Sequence, residues 1–237
     1  MFKKCIAILI FVVLLFTLST QAAAAEVPQN PNEYNEYLGY VQQGILGEDV
    51  TFDDWKYLKN KASELEAALE ASSEFDLIYD STNPSSTYST YTLTKGDVFI
   101  TNGTSSAGIT GHAGIAASNS QILHIAGFGY NPTKISLSTW HTQYTNNSDS
   151  SWTKIYRHSS CTVANQAANW AVNTYDGSSA VYSITQDVST TYETYCSKLV
   201  WQAYFYGANS ATYLSSGYIL PYSLPDLITN ISLTKTF

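Results

Sequence analysis

The chain has 237 residues, with 11 Lys and Arg against 19 Asp and Glu and a formal net charge of −8. An acidic chain without clustered cations cannot neutralise a phosphate backbone, which excludes nucleic acid as a partner. Three cysteines are also too few for a disulfide scaffold.

In chain order, the first element is a leader. Lys3 and Lys4 precede an apolar run from Cys5 to Leu18, and "STQAAAAE" then supplies small residues for cleavage. That layout predicts a secretory signal peptide over residues 1–25. The run is short for a membrane span, and no later segment is long and apolar enough to be one. The expected product is therefore secreted, with no stable membrane span in the mature chain. Loss of Lys3 and Lys4 with the leader leaves a net charge of about −10.

Residues 26–79 read as a helical region. Tyr34, Tyr37, Leu38 and Val41 follow helical spacing, and a break follows at residues 44–49. Thr51 and Asp54 then form a capping pair ahead of a stripe of Phe52, Trp55, Leu58, Ala62, Leu65 and Leu69. The stripe predicts an N-terminal helical hairpin docked on the main domain; a pro-region or a partner-binding arm is the other use of such a segment. Residues 80–92, "DSTNPSSTYSTYT", have no periodicity and read as a linker.

From residue 93 the pattern changes. "KGDVFIT" (95–101), "HAGIAAS" (112–118), "QILHIAG" (121–127) and "WTKIYRH" (152–158) are short strand-like runs between turn residues. "TVANQAANWAVNTY" (162–175) is helical, and Cys196, Leu199, Val200, Ala203 and Tyr204 share one helix face. A block of strands with helices around it predicts an α+β domain over residues 93–237, its antiparallel sheet packed with helices.

Cys196 heads the last of those helices. With Thr194 as the N-cap it falls in the first turn, where unpaired N–H groups and the helix dipole favour thiolate over thiol. By itself such a residue fits a nucleophile, a Cys161–Cys196 disulfide in an exported protein, or an inert core position. His112 and His124 bear on the choice. If Ser118, Asn119 and Ser120 form the loop between their strands, the two histidines become diagonal neighbours on one face, within about 7–8 Å. A two-residue loop would put them on opposite faces. Zinc is the rival use of the same three residues, but they lack the short-range ligand pairs of common zinc sites. His141 lies in a polar loop and His158 at a strand end, and both read as surface residues.

Together, "KGDVFIT…GHAGIAASNSQILHIAG…YCSKLVWQAY" resembles the NlpC-type cysteine peptidases in their circularly permuted form. That branch also holds lecithin–retinol acyltransferase-like enzymes. The likeness covers roughly residues 93–227, including "ILPYSLPDL", and residues 26–90 lie outside it. It implies a papain-like NlpC-type fold in permuted order, with Cys196 as nucleophile, His112 as general base and His124 as the residue that orients His112. Tyr195 falls near the oxyanion region, no cofactor or metal is implied, and Cys161 has no counterpart. The activity implied is that of a secreted cysteine hydrolase cutting an amide bond, with peptidoglycan peptide as substrate and the cell wall as its place. One alternative is a lipid acyltransferase or esterase with the same triad. The other is a non-catalytic wall-binding module locked by a Cys161–Cys196 disulfide, with Tyr88, Tyr91, Tyr130 and Tyr144 as stacking surface.

Overall fold

The computed structural model describes residues 30–73, 91–212 and 217–237, so the expected leader, Tyr88 and most of the expected linker lie outside the described residues. Helix α1 (Pro31–Gln43) starts on Asn30, whose side chain accepts the Asn32 and Glu33 N–H groups, and stops at Gly44 in the left-handed region. Helix α2 (Phe52–Ser73) opens with a reciprocal cap. The Thr51 N–H donates to Asp54 Oδ2 at 3.0 Å and the Asp54 N–H to Thr51 Oγ1 at 3.1 Å. Trp55, Leu58 and Ala62 are fully buried in the same core as the strands, with Phe52, Leu65 and Leu69 packed at its edge. Trp55 Nε1 also donates to the Ala107 carbonyl at 2.7 Å, which ties α2 to a sheet turn.

The architecture is α+β. Strands β1 (Val98–Ser106), β2 (Ile109–Ala116), β3 (Gln121–His124), β4 (Thr133–Ser136), β5 (Thr153–His158) and β8 (Ile231–Thr236) form one antiparallel sheet. Their order is β4-β3-β2-β1-β5-β8. Side chains alternate along the strands, so the sheet buries both faces. Val98, Ile100, Ala113 and Ile115 enter the main core with helices α4 (Cys161–Tyr175) and α5 (Cys196–Ala208). Phe99, Ala116, Ile122 and Ile155 enter a second cluster around Trp140.

That second cluster is roofed by an element the sequence reading left as loop. Helix α3 (Leu137–Trp140) is capped by Ser136 and continues into one π-helical turn, His141–Thr145. Two glycines let it approach. A Cβ at Gly103 would lie 1.9 Å from the Tyr144 carbonyl oxygen, and one at Gly114 would lie 2.9 Å from the Trp140 ring. Strands β4 and β8 and the short parallel pair β6 (Val181–Tyr182) and β7 (Glu193–Thr194) were also not foreseen. A last helix, α6 (Leu224–Leu227), follows a 3₁₀ turn at Pro221–Ser223.

Candidate active site

The β2–β3 hairpin sets the histidines. Ile115 pairs with Leu123 and Ala116 with Ile122, and the Ala117 N–H donates to the Gln121 carbonyl at 2.8 Å. The loop is therefore Ser118, Asn119 and Ser120, the odd length that keeps His112 and His124 on one face. Their rings meet edge to face, and His112 Nε2 lies 2.9 Å from His124 Nδ1. One nitrogen of each ring is committed to that bond. His124 Nε2 is buried without a partner, and His112 Nδ1 has none among the described residues. A metal bridging the pair would have to displace the N–N bond. Among the described residues, no group of three or more His, Cys, Asp or Glu is placed to hold an ion.

The roof turns this pair into a dry compartment. Trp140 stacks on His112 with ring centroids 5.4 Å apart, and Tyr144 packs on it at 4.7 Å. Desolvation disfavours charge on both rings. Burial, with His124 adding repulsion, holds the His112 pKa well below the ordinary histidine value, and burial takes His124 down to about 4. Both are neutral at pH 7. The sequence signal for the roof was Trp140 and Tyr144 four residues apart, which is one helix face; reading Tyr144 as exposed hid it.

Cys196 is the first residue of α5, but Tyr195 rather than Thr194 is the cap residue. Thr194 is buried in β7, where its carbonyl accepts the Ser183 N–H at 2.9 Å, so its side chain is not at the helix end. The thiol lies against the β2 backbone next to His112. Its sulfur is 4.0 Å from Ser197 Oγ, and the nearby backbone amides of Ala113, Ser197 and Cys196 favour the thiolate. Tyr144, which covers His112, has its hydroxyl pKa pushed up to about 12, chiefly by burial. No direct hydrogen bond joins Cys196 to His112 among the described residues. Burial raises the thiol pKa, and the amide donors offset this only in part. The helix N-terminus therefore does not make a resting thiolate, contrary to the expectation from position alone.

Two walls complete the site. The Tyr195 hydroxyl accepts the Ile219 N–H at 2.9 Å, and Ser197 Oγ donates to the Ile219 carbonyl, so both neighbours of Cys196 hold one segment. Lys198 is fully buried and donates through Nζ to the Glu193 carbonyl at 2.8 Å and to that of Asp187. It ties the loop before β7 to the helix that carries the thiol. Between the walls runs a narrow cleft with an enclosed volume of about 30 Å³. Leu58, Ile109, Ile184, Ile219, Leu220 and Pro221 line it, Tyr182, Tyr195 and Tyr218 edge it, and no charged side chain faces it. Leu58 belongs to α2, so the N-terminal hairpin supplies part of the cleft wall.

Other expectations are corrected. Cys161 and Cys196 are free thiols, the first exposed and the second buried, which removes the disulfide. His158 is not a surface residue: it is buried, with Nδ1 accepting the Ser160 N–H at 2.8 Å and Nε2 3.1 Å from Ser210 Oγ. His141 is half-buried in the π turn. Tyr144 is buried against His112 and Tyr91 is part-buried, its hydroxyl donating to Asp97 Oδ2 at 2.9 Å; neither is free for stacking.

No helix among the described residues is long and apolar enough to cross a membrane. No solved structure matches the chain. An "Uncharacterized 30.3 kDa protein" of Bacillus thuringiensis is 33% identical over 236 residues, covering 88% of this chain and 83% of its own. A family model described as "Lipoprotein N-acylation protein LnsA-like" matches residues 69–236, from the end of α2 through β8. That match spans the hairpin histidines, the thiol helix and every cleft-lining residue except Leu58, and the chain belongs to this LnsA-like family of acyl-transfer enzymes.

Proposed function

We propose that the chain is a cysteine acyltransferase that takes an acyl group from a lipid ester onto Cys196 and passes it to an amine, the amino terminus of a lipoprotein. The supporting observation is the cleft itself. An apolar cleft without a charged lining reaches a buried thiol, and a neutral histidine pair is carried on the hairpin whose strand β2 packs against the helix that bears the thiol. Such a lining favours a hydrocarbon chain over wall peptide, whose carboxylates and amines would be desolvated without partners.

In this reading the thiol leaves Ser197 by rotation about its Cα–Cβ bond and gives its proton to His112 Nδ1 as sulfur attacks the ester carbonyl. His112 Nε2–H donates to His124 Nδ1, which fixes the tautomer and steadies the imidazolium. Amides at the start of α5, with that of Ala113, stabilise the oxyanion, and Tyr195 positions the wall. The S–C bond forms, the ester C–O bond breaks, and His112 protonates the departing alkoxide. A neutral amine then attacks the thioester; the C–N bond forms, the S–C bond breaks, and the amine proton returns through His112 to sulfur. The histidine hairpin before the thiol helix is taken as the permuted papain-like order, and the signal-peptide pattern of residues 1–25 supports a place at the cell envelope.

Hydrolysis of a wall amide by the same thiol, with water as acceptor, is the second reading; the closed resemblance to NlpC-type peptidases favours it. The two separate in one experiment. Incubation with a phospholipid ester, digestion and mass spectrometry should find the acyl mass on the Cys196 peptide, absent in Cys196→Ser. No adduct from lipid, with cleavage of wall peptides instead, would replace the first reading by the second.

A further inference from the structure

We propose that Phe128, Tyr130, Val181 and Tyr192 form a membrane-docking surface that seats the mouth of the thiol cleft on an electrically neutral lipid surface. The inference rests on the acyl-transfer reading and names where the donor is met. Six large hydrophobic side chains are exposed among the described residues, and these are four of the six. They come from three separate stretches that the fold ties together. Asn131 Nδ2 donates to the Ala180 carbonyl at 2.8 Å, and the Val181 N–H donates to the Tyr192 carbonyl at 2.7 Å. Single exposed apolar residues are ordinary, whereas a joined strip at the rim of a site marks a contact surface.

The strip adjoins the thiol cleft through one shared lining residue, Tyr182. Tyr182, next to Val181, lines the cleft that holds Cys196, and Tyr192 lies four residues before the nucleophile. Phe128 and Val181 also line a second, wider groove that shares Tyr182 with the first. Phe128 stands between Gly127 and Gly129, both at positive φ with no atom within 4 Å of where a Cβ would lie. The Phe128 ring is 48% exposed, its covered side lining the groove beside Gly44.

Charge selects the occupant. Glu48, Asp49, Asp187 and Glu193 line the wider groove, and no Lys or Arg does. Anionic head groups would be repelled there, while a zwitterionic surface accepts Phe and Tyr rings at head-group depth.

The test uses the Cys196→Ala chain, purified after export so that any leader has been processed, and flotation with vesicles. Phosphatidylcholine vesicles should carry the protein equally at low and high salt, and better than vesicles rich in phosphatidylglycerol. Phe128→Ser with Tyr130→Ser should lower partition on the order of tenfold, and Tyr206→Ser, an exposed aromatic elsewhere, should leave it unchanged. In the active chain the double variant should still acylate Cys196 from a water-soluble short-chain ester. The docking proposal is overturned by absence of vesicle binding, by salt-sensitive binding that requires anionic lipid, or by a strip that instead captures an acceptor peptide. Vesicle binding without any acyl adduct on Cys196 would sink the acyl-transfer reading and leave docking standing.

Discussion

Two buried histidine sites lie in this molecule, and they are built on opposite principles. At His158 both ring nitrogens have partners: Nδ1 takes the Ser160 N–H, which leaves Nε2–H to donate to Ser210 Oγ, and Ser210 Oγ lies 2.8 Å from Thr229 Oγ1. Every polar atom is satisfied, and the arrangement locks a strand end to the segment after α5. At His112 and His124 one bond is shared and a nitrogen at each end is left over. Full satisfaction suits a structural tie, whereas a left-over nitrogen is what the proposed general base requires. Burial alone, common to both, does not separate them.

The largest effect should come from removing the base. His112→Ala is expected to lower the rate of Cys196 acylation by about 10³-fold, within the usual range for a general base. Changing His158, whose partners are Ser160 and Ser210, should leave the rate per folded molecule essentially unchanged. Acylation kinetics on folded protein measure both, and equal losses would erase the distinction between the sites. His124 comes next. His124→Ala should cost roughly 10–100-fold, the scale at which orienting partners act. His124→Gln, which keeps an acceptor, should recover part of that loss and leave substrate affinity unchanged. Because burial lifts the thiol, alkylation of Cys196 should climb with pH above neutrality instead of levelling near pH 6.

How much of this was legible beforehand follows the range of the interactions. The histidine register needed only a period of two and a loop length, so local rules sufficed to place His112 beside His124. The α2 stripe and its cap were equally local. What escaped depends on contacts far apart in sequence. Trp140 and Tyr144 sit over His112 because Gly103 and Gly114 make room, a fit no periodicity encodes. Thr194 looked like a cap from its neighbours, yet pairing with β6 claims it first. The expected thiolate failed for the same reason, since the helix position is local but the burial of Cys196 is built by distant chain segments. The cleft lining, with Leu58 from α2, was out of reach altogether.

Acid should expose the charge side of the comparison. Both hairpin histidines have folded pKa values below the unfolded value of about 6.5, His124 at about 4. Between those limits the unfolded chain binds more protons than the folded one, so stability rises with pH across that window and is lost as pH falls through it. For His124 the full loss is up to about 3 kcal/mol. Urea denaturation at pH 4.5 and pH 7 should show the decline, and His124→Gln should reduce it. A pH-independent midpoint in the parent would mean that the pair is hydrated, and the dry compartment under Trp140 and Tyr144 would have to be abandoned.

The smallest expected effect tests the satisfied site. Ser210→Ala removes the acceptor of the His158 Nε2–H and also the hydroxyl shared with Thr229. A buried donor left without a partner costs about 1–3 kcal/mol, and relaxation toward Thr229 Oγ1 should hold the loss near the low end. Acylation of Cys196 should not change. Thermal or urea unfolding gives the stability term and acylation kinetics the other. If the variant loses activity while keeping its stability, His158 is coupled to the thiol through α5, and a satisfied hydrogen-bond network is no longer a sign of a purely structural histidine.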